Sequence, residues 1–242
     1  MNVLSIGNSF SQDATRYLHR IAACAGINLT TVNLYIGGCS LYRHFQNMKT
    51  DEKGYSLEYN GESTGFSVSI KEALISREWD VITLQQVSHL SGKYESYQPY
   101  LSELAKYCRE LCPKARLVIH QTWAYEKDCD RLSKMAGYQT PEDMLTDIKA
   151  SYTKAASDVG AAGIIPSGEM LYALLENGIP SIHRDTFHAS LGLGRYALGL
   201  LWLRMLTGRT VTGNTFGAFD KPVTDEEKEI AQRVVDSFQP IF

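Results

Sequence analysis

The sequence predicts an α/β fold in which a parallel sheet of five strands lies between two layers of helices. Short apolar segments rich in β-branched residues alternate along the chain with longer segments of helical periodicity. This alternation is typical of parallel sheets with right-handed crossover connections. The five apolar segments that we interpret as strands are 1–6, 28–36, 79–84, 116–120 and 163–166.

The resulting architecture is a three-layer α/β/α sandwich. We expect the flavodoxin-like strand order 2-1-3-4-5 across the sheet, because open parallel sheets of this length commonly adopt it. A chain of 242 residues is an ordinary length for one such domain, so residues 1–242 are assigned to a single domain. Ligands of these folds bind where the carboxyl ends of the strands meet the following loops.

Composition excludes several classes of function. The formal net charge is −3 and no basic patch is interleaved with aromatic residues, so no nucleic-acid partner is expected. The best candidate for a membrane span, 198–206, is short and contains Arg204, so no membrane insertion is expected. The five cysteines fit no zinc spacing, and we expect no metal and no cofactor.

The first residues of the chain are the part of the sequence that indicates a cellular location. The sequence opens directly into a strand, without the basic and apolar regions of a secretory leader. A cytoplasmic location is therefore the expectation for the sequence as it stands. A periplasmic or secreted location is the alternative if a leader has been removed.

The turn Gly7-Asn8-Ser9 joins the first predicted strand to a helix predicted over 12–25. Gly7 permits unusual backbone angles in a tight turn. A serine there lies at the carboxyl end of a central strand and beside a helix N-terminus, where backbone N–H groups converge on negative charge. The alternative is structural, because Ser9 or Ser11 can simply cap the helix.

Two other strand ends carry groups that are able to stabilise an oxyanion. Gly37 and Gly38 follow the second strand, and their backbone N–H groups either face Ser9 or belong to an ordinary loop. Gln85 and Gln86 follow the third strand. A glutamine amide at that position either donates to a developing oxyanion or bonds a neighbouring loop.

Two further segments are predicted to border the site. Trp123 and Tyr125 follow the fourth strand and form either a wall for a sugar ring or the packing of a loop. Residues 51–70 are polar and β-prone, and their Asn60-Gly61 pair is a strong hairpin signal. We therefore expect an inserted hairpin over 51–70 at the rim of the site.

Asp185 and His188 are the strongest chemical signal in the chain. They lie three residues apart, just before an apolar helix predicted over 191–206. A serine nucleophile needs a base that accepts its proton and a carboxylate that orients the base, and one Asp-x-x-His turn supplies both. A lone histidine there is usually a capping or core residue, but the pair together with Ser9 favours catalysis. His183 precedes the aspartate and lacks this spacing.

Taken together, these motifs resemble the SGNH (GDSL-type) hydrolase superfamily. Its first block carries the nucleophile and matches Ser9, its second contributes a glycine N–H and matches Gly38, and its last is Asp-x-x-His, matching Asp185 and His188. The whole pattern is also similar to a bacterial SGNH-like family of unassigned activity. The resemblance implies the SGNH hydrolase fold and a serine esterase that needs no metal or cofactor.

The third block of the superfamily, Gly-x-Asn-Asp, is absent. Gln85 and Gln86 stand in its place, which resembles the sialate and xylan acetylesterase branches and implies that one glutamine completes the oxyanion hole. The expected substrate is a small-molecule or carbohydrate ester, most specifically an O-acetylated carbohydrate. The residues assigned to its recognition are Asn8, Trp123 and Tyr125, and those assigned to the oxyanion are Ser9, Gly38, Gln85 and Gln86.

Two other functions remain compatible with the sequence. Residues 5–9 also resemble the phosphate loop of a flavodoxin, which implies an FMN-binding electron carrier but leaves Asp185 and His188 without a role. The missing third block also allows an inactive hydrolase that serves as a sugar-binding module. Turnover of an activated ester distinguishes the enzyme from this module.

Overall fold

The computed structural model describes residues 1–242, and its strands and helices alternate as predicted. The strands are β1 (Asn2–Gly7), β2 (Thr30–Tyr35), β3 (Tyr55–Tyr59), β4 (Glu62–Val68), β5 (Val81–Leu84), β6 (Arg116–His120) and β7 (Gly163–Ile165). The helices are α1 (Ser9–Thr15), α2 (Leu18–Cys24), α3 (Leu41–Thr50), α4 (Ile70–Ile75), α5 (Tyr100–Leu111), α6 (Pro141–Asp158), α7 (Ser167–Glu176), α8 (Leu193–Thr207) and α9 (Asp225–Asp236).

The strands form one sheet in the order β4-β3-β2-β1-β5-β6-β7. Strands β2, β1, β5, β6 and β7 are parallel, and their order is the predicted 2-1-3-4-5. The predicted count of five strands is wrong, because β3 pairs antiparallel with β2 and β4 pairs antiparallel with β3. The sheet is therefore seven-stranded and mixed. The hairpin covers an edge of β2 that would otherwise present unpaired backbone groups.

The helix predicted over 12–25 is divided into α1 and α2. The turn of the β3–β4 hairpin packs against Arg16, which lies between α1 and α2. A Cβ added at Gly61 would stand 2.1 Å from the carbonyl oxygen of Arg16. Arg16 Nη1 also donates to the Gly61 carbonyl at 2.8 Å. Because Gly61 has φ +84°, a side chain there would be both strained and blocked. The hairpin thus touches the helix that begins at Ser9.

The core is built around α8, which is buried on nearly every side. It packs against α1, α2, α7 and α9, while α3, α4 and α5 pack together as a second group of helices. A helix that is apolar all round needs such complete cover, since any exposed side would leave apolar surface in water. None of the helices combines the length and the apolarity needed to cross a membrane.

Candidate active site

Ser9, His188 and Asp185 form one continuous chain of hydrogen bonds. The Ser9 hydroxyl lies 2.8 Å from His188 Nε2, and His188 Nδ1 lies 2.8 Å from Asp185 Oδ2. Asp185 Oδ1 also accepts from the backbone N–H of His188 at 2.8 Å. A carboxylate at Nδ1 holds the imidazole proton there, so Nε2 is the nitrogen that faces the serine. Their catalytic role stays a prediction, but the geometry it needs is present.

The charge of Asp185 is favoured by the same contacts. Burial acts to raise its pKa, but the hydrogen bonds from the ring and backbone of His188 outweigh burial. The pKa of Asp185 therefore lies below its ordinary value. An ionised carboxylate suits this position, because it accepts at both oxygens and forms stronger hydrogen bonds than a neutral acid.

Asn8 caps α1, so neither Ser9 nor Ser11 serves as the cap. Asn8 Oδ1 accepts from the backbone N–H of Phe10 at 3.0 Å, and its Nδ2 donates to the Cys39 carbonyl at 3.0 Å. The cap leaves the Ser9 hydroxyl free to face His188. Asn8 borders the cavity, but its amide already holds the turn to the loop after β2. The second N–H of its Nδ2 makes no hydrogen bond within the chain, so contact of Asn8 with substrate stays a prediction.

Two backbone N–H groups beside Ser9 are available to an anion. Ser9 is the first residue of α1, so no carbonyl within that helix accepts its N–H. The N–H of Gly38 makes no hydrogen bond within the chain. Gly38 has φ +61°, a conformation that glycine adopts without strain. Both residues line the cavity in front of Ser9, as an oxyanion hole requires.

The structure does not bring Gln86 to the site. Its Oε1 accepts from the backbone N–H groups of Leu41 at 3.0 Å and Val87 at 2.8 Å. Its Nε2 donates to the carbonyl and hydroxyl oxygens of Ser96, both at 3.0 Å. Gln86 is fully buried and borders no part of the Ser9 cavity. It bonds neighbouring loops, and its assignment to the oxyanion hole is corrected accordingly.

Gln85 contacts the turn rather than the cavity. Its Nε2 donates to Asn8 Oδ1 at 2.8 Å, and its Oε1 lies 2.9 Å from His120 Nδ1. Burial lowers the pKa of His120 to about 3, so this histidine is neutral. Its Nδ1 therefore donates to Gln85, and its Nε2 accepts from the Ser167 hydroxyl at 3.1 Å. This buried chain of polar groups fixes the Asn8 cap from behind.

The cavity in front of Ser9 is open and has a volume of about 490 Å³. Only five of its fifteen lining residues are hydrophobic. Trp123 and Tyr125 do not line it, and each is only 1% exposed. They border a neighbouring cavity of about 400 Å³ instead. The prediction that these two aromatic residues contact a substrate beside Ser9 is therefore corrected.

Trp123 and Tyr125 pack beneath the cavity and contact residues that line it. The Trp123 ring stacks on Phe10 with centroids 4.0 Å apart, and its Nε1 donates to the Phe187 carbonyl at 2.8 Å. The Tyr125 hydroxyl lies 2.7 Å from the hydroxyl of Ser88. The packing alternative thus describes both side chains. The predicted hairpin over 51–70 contributes no lining residue either, so it is not at the cavity rim.

Asp13 is a supporting residue that no sequence motif had singled out. It is fully buried on α1, one turn after Ser9. Both its oxygens accept from Arg184 Nη1, at 3.0 and 2.8 Å, and Oδ1 also accepts from Arg195 Nε at 2.8 Å. Burial raises the pKa of Asp13, and the two arginines oppose that shift. Because Arg184 directly precedes Asp185, this ion pair ties α1, which begins at Ser9, to the segment that carries His188.

His183 and His89 lie near the site, but neither forms a hydrogen bond with Ser9. His183 Nδ1 lies 3.1 Å from Glu126 Oε1, and His183 borders the neighbouring cavity rather than the one at Ser9. His89 lines the Ser9 cavity, and its pKa is lowered by burial first and then by the charges of Lys93 and Arg131. The chain brings together no group of three His, Cys, Asp or Glu side chains arranged to hold a metal ion.

Comparison with solved structures shows the same fold in other proteins. A crystal structure of a DUF4886 family protein from Bacteroides uniformis is 38% identical to this chain with a TM-score of 0.91, covering 98% of this chain and 93% of that one. A proposed SGNH hydrolase from Slackia heliotrinireducens is 22% identical with a TM-score of 0.62, covering 85% and 98%. An acetylxylan esterase from Geobacillus stearothermophilus is 14% identical with a TM-score of 0.54, covering 84% and 92%.

A search of curated proteins finds no match to the sequence. The sequence profile described as "Domain of unknown function (DUF4886)" matches residues 2–236. The structural matches at low identity show that the fold is that of the SGNH and GDSL hydrolases, as the sequence motifs implied. The chain therefore belongs to the DUF4886 family.

Proposed function

We propose that this chain is a serine esterase whose nucleophile is Ser9. The observation that carries the proposal is the hydrogen-bonded chain from the Ser9 hydroxyl through the His188 ring to Asp185, with 2.8 Å at each step. The partners come from segments 179 residues apart. Residues that are close in sequence often form hydrogen bonds simply because they are neighbours, whereas this alignment requires the whole fold. The three residues also match the roles of a nucleophile, a base and an orienting carboxylate.

The geometry supports a two-step acyl transfer. The Ser9 oxygen attacks the ester carbonyl carbon while His188 Nε2 takes the serine proton. The backbone N–H groups of Ser9 and Gly38 bind the oxyanion of the tetrahedral intermediate. When the intermediate collapses, His188 returns the proton to the departing alcohol and the acyl group stays on Ser9. Water, activated by the same histidine, then releases the acid and restores the serine.

Asp185 acts throughout as the orienting group. It holds the imidazole with its proton on Nδ1 and stabilises the positive charge that His188 carries during each step. Trp123 and Phe10 add a rigid support, because their stacked rings lie below the segment that carries the base. No step in this sequence uses Gln85 or Gln86 as a donor.

The proposed substrate is an O-acetylated carbohydrate. Ten of the fifteen lining residues of the cavity are not hydrophobic, which suits a hydroxyl-rich alcohol better than a long acyl chain. The acetylxylan esterase of the same fold acts on an acetylated polysaccharide, and this likeness motivates the choice of acyl group. An FMN site is the less suitable assignment, since it leaves the Asp185–His188 pair without a role.

Hydrolysis of p-nitrophenyl acetate, butyrate and octanoate by wild type and Ser9→Ala tests the proposal. We expect wild-type activity that is highest on acetate and a loss of about 10⁴-fold or more in Ser9→Ala. Ser102→Ala, at an exposed serine of α5, is the matched control and should retain full activity. Circular dichroism checks that both variants are folded.

Each other outcome has a definite meaning. Undiminished activity in a folded Ser9→Ala variant would exclude Ser9 as the nucleophile. Activity that rises with chain length would replace acetylated sugars by lipid or thioester substrates. A wild-type protein that is inert on all three esters favours the sugar-binding module, and a flavin absorption spectrum of the purified protein favours the FMN carrier.

A further inference from the structure

The Ser9 cavity has an unusual charge for this chain. The protein as a whole carries a formal net charge of −3. None of the fifteen residues lining the cavity is an aspartate or glutamate, whereas Arg131 and Arg184 both line it. A cavity lined by charges of one sign concentrates ligands of the opposite sign. The lining therefore favours an anionic ligand.

Arg131 holds a positive charge that no group of the protein neutralises. Its guanidinium makes no ion pair, and the neighbouring Asp130 is occupied by Lys134 at 2.7 Å. The guanidinium lies over the ring of Phe187, 4.2 Å from the centroid. In the chain, Arg131 directly precedes the π-helical turn Leu132–Ala136, a form of helix that is frequent at functional sites. A guanidinium held over an aromatic face by cation–π attraction keeps its N–H groups free to bind.

Arg184 differs from Arg131 because its charge is already balanced. Its Nη1 donates to both oxygens of Asp13 and to the carbonyl of Ala189. Its Nε and Nη2 make no hydrogen bond within the chain, so Arg184 is able to donate a hydrogen bond to a ligand. Asp13 already balances its charge, so it adds little net attraction for an anion. Arg131 is therefore the residue that supplies the attraction.

The position of Arg131 indicates which part of an ester it meets. The Phe187 ring beneath it lies 3.9 Å from the His188 ring, centroid to centroid. His188 gives its proton to the departing alcohol, so the alcohol must lie on the His188 side of Ser9. The acyl oxygen points instead to the N–H groups of Ser9 and Gly38. Arg131 is thus separated from the reaction by the rings of Phe187 and His188, and it lies on the side of the alcohol.

We propose that this site selects esters whose alcohol part carries a carboxylate, such as O-acetylated acidic sugars, and that Arg131 binds that carboxylate. The proposal rests on the esterase function proposed above and narrows its substrate. A guanidinium and a carboxylate are matched in shape and form two parallel hydrogen bonds. Neutral acetylated sugars offer no such partner to Arg131.

The kinetic test compares two esters of nearly the same shape, one with a carboxylate and one with a neutral carboxamide at the same ring position. The probes are meta-acetoxybenzoate and the neutral meta-acetoxybenzamide, and acetate release gives kcat/KM for each. We expect the wild type to favour the carboxylate by about five- to tenfold, because Arg131 is solvent-exposed and water weakens the pairing. The preference should shrink as ionic strength rises.

The ratio of the two kcat/KM values is also measured in three variants. Arg131→Gln should lower the ratio to about one, while Arg131→Lys should keep part of it because the charge remains. Arg209→Gln removes an exposed arginine outside the cavity and should leave the ratio unchanged. A wild-type ratio of about one, or a ratio unaffected in Arg131→Gln, overturns the proposal while Ser9-dependent hydrolysis of both esters keeps the esterase function intact.

A binding measurement separates this inference from the esterase function. Calorimetric titration of folded Ser9→Ala with each probe requires no turnover. We expect tighter binding of the carboxylate than of the amide, and loss of this difference in the Ser9→Ala/Arg131→Gln double variant. That result supports anion recognition even if the wild type hydrolyses neither ester. Equal binding of both probes by Ser9→Ala overturns it.

Discussion

The buried carboxylate of Asp13 links the two halves of the candidate active site, so its neutralisation should be costly. The perturbation is Asp13→Asn, which keeps the shape of the side chain and removes its charge. In the wild type the carboxylate is fully buried, and its partners Arg184 and Arg195 are 24% and 12% exposed at their side chains. The variant leaves both arginines facing a neutral amide.

The magnitude follows from the degree of burial. Removing one partner of a fully buried ion pair typically costs about 3–5 kcal/mol of stability, because the remaining charge is left uncompensated. Here Arg195 keeps Asp220 as a second partner at 2.8 Å, and water reaches part of both guanidinium groups. We therefore expect a loss of about 2–4 kcal/mol, which corresponds to a fall in Tm of about 4–16 °C for a chain of this size.

Catalysis should suffer less than stability. The segment that carries His188 keeps two other attachments, from Trp123 Nε1 to the Phe187 carbonyl and from the Glu126 N–H to the Thr186 carbonyl, both at 2.8 Å. We expect kcat/KM on p-nitrophenyl acetate, measured well below the Tm, to fall by about tenfold as the base becomes less well placed.

The assay is urea denaturation followed by circular dichroism, with Glu78→Gln as the matched control. Glu78 pairs with Lys114 at 2.9 Å, but both side chains are more than 80% exposed, so neutralisation should change stability by less than about 0.5 kcal/mol. A loss in Asp13→Asn no larger than that of the control would refute the argument that burial makes this ion pair structurally important.

Two further predictions concern Gln86 and Asp220. Gln86→Leu should cost about 1–3 kcal/mol of stability, because it leaves buried backbone N–H groups unpaired. Its kcat should stay within about fivefold of wild type. Loss of an oxyanion donor would instead lower kcat by about 100- to 1000-fold. The hydrogen bond from Arg16 holds the pKa of Asp220 well below its ordinary value. The stabilisation from its ion pairs is therefore fully present above about pH 4 and is lost progressively as pH falls from there through the lowered pKa. Acid denaturation of Asp220→Asn should accordingly show a weaker pH dependence than that of wild type.

The sheet order was predictable because it depends on chain-wide alternation. Five apolar segments separated by helices permit few right-handed parallel arrangements, and the one expected is observed. The pairing of β3 with β2 was not predictable in the same way. A hairpin signal such as Asn60-Gly61 fixes the local turn, but the strand that accepts the hairpin is chosen by contacts far away in sequence.

The site was predictable to the level of strand ends but not of side-chain direction. Successive residues of an extended chain point to opposite sides, so Gln85 and Gln86 cannot both face Ser9, and in the structure neither amide reaches the cavity. Trp123 and Tyr125 gain more from packing under the catalytic segment than from lining an open cavity, because large aromatic surfaces are strongly stabilised by burial. The residue types alone therefore predict neither the direction of the glutamine side chains nor the burial of the two aromatic residues.

The distance in sequence between Ser9 and His188 has a consequence for the protein during its synthesis. Ser9, the proposed nucleophile, leaves the ribosome first, and His188, its proposed base, follows 179 residues later. At typical rates of translation this delay is roughly 10–40 s. Throughout that interval the nascent chain contains an unactivated serine, because neither the imidazole nor the carboxylate exists yet. On the proposed function, reactivity arises only after Asp185 and His188 have been synthesised, and fragments that end before Asp185 should be inert towards esters.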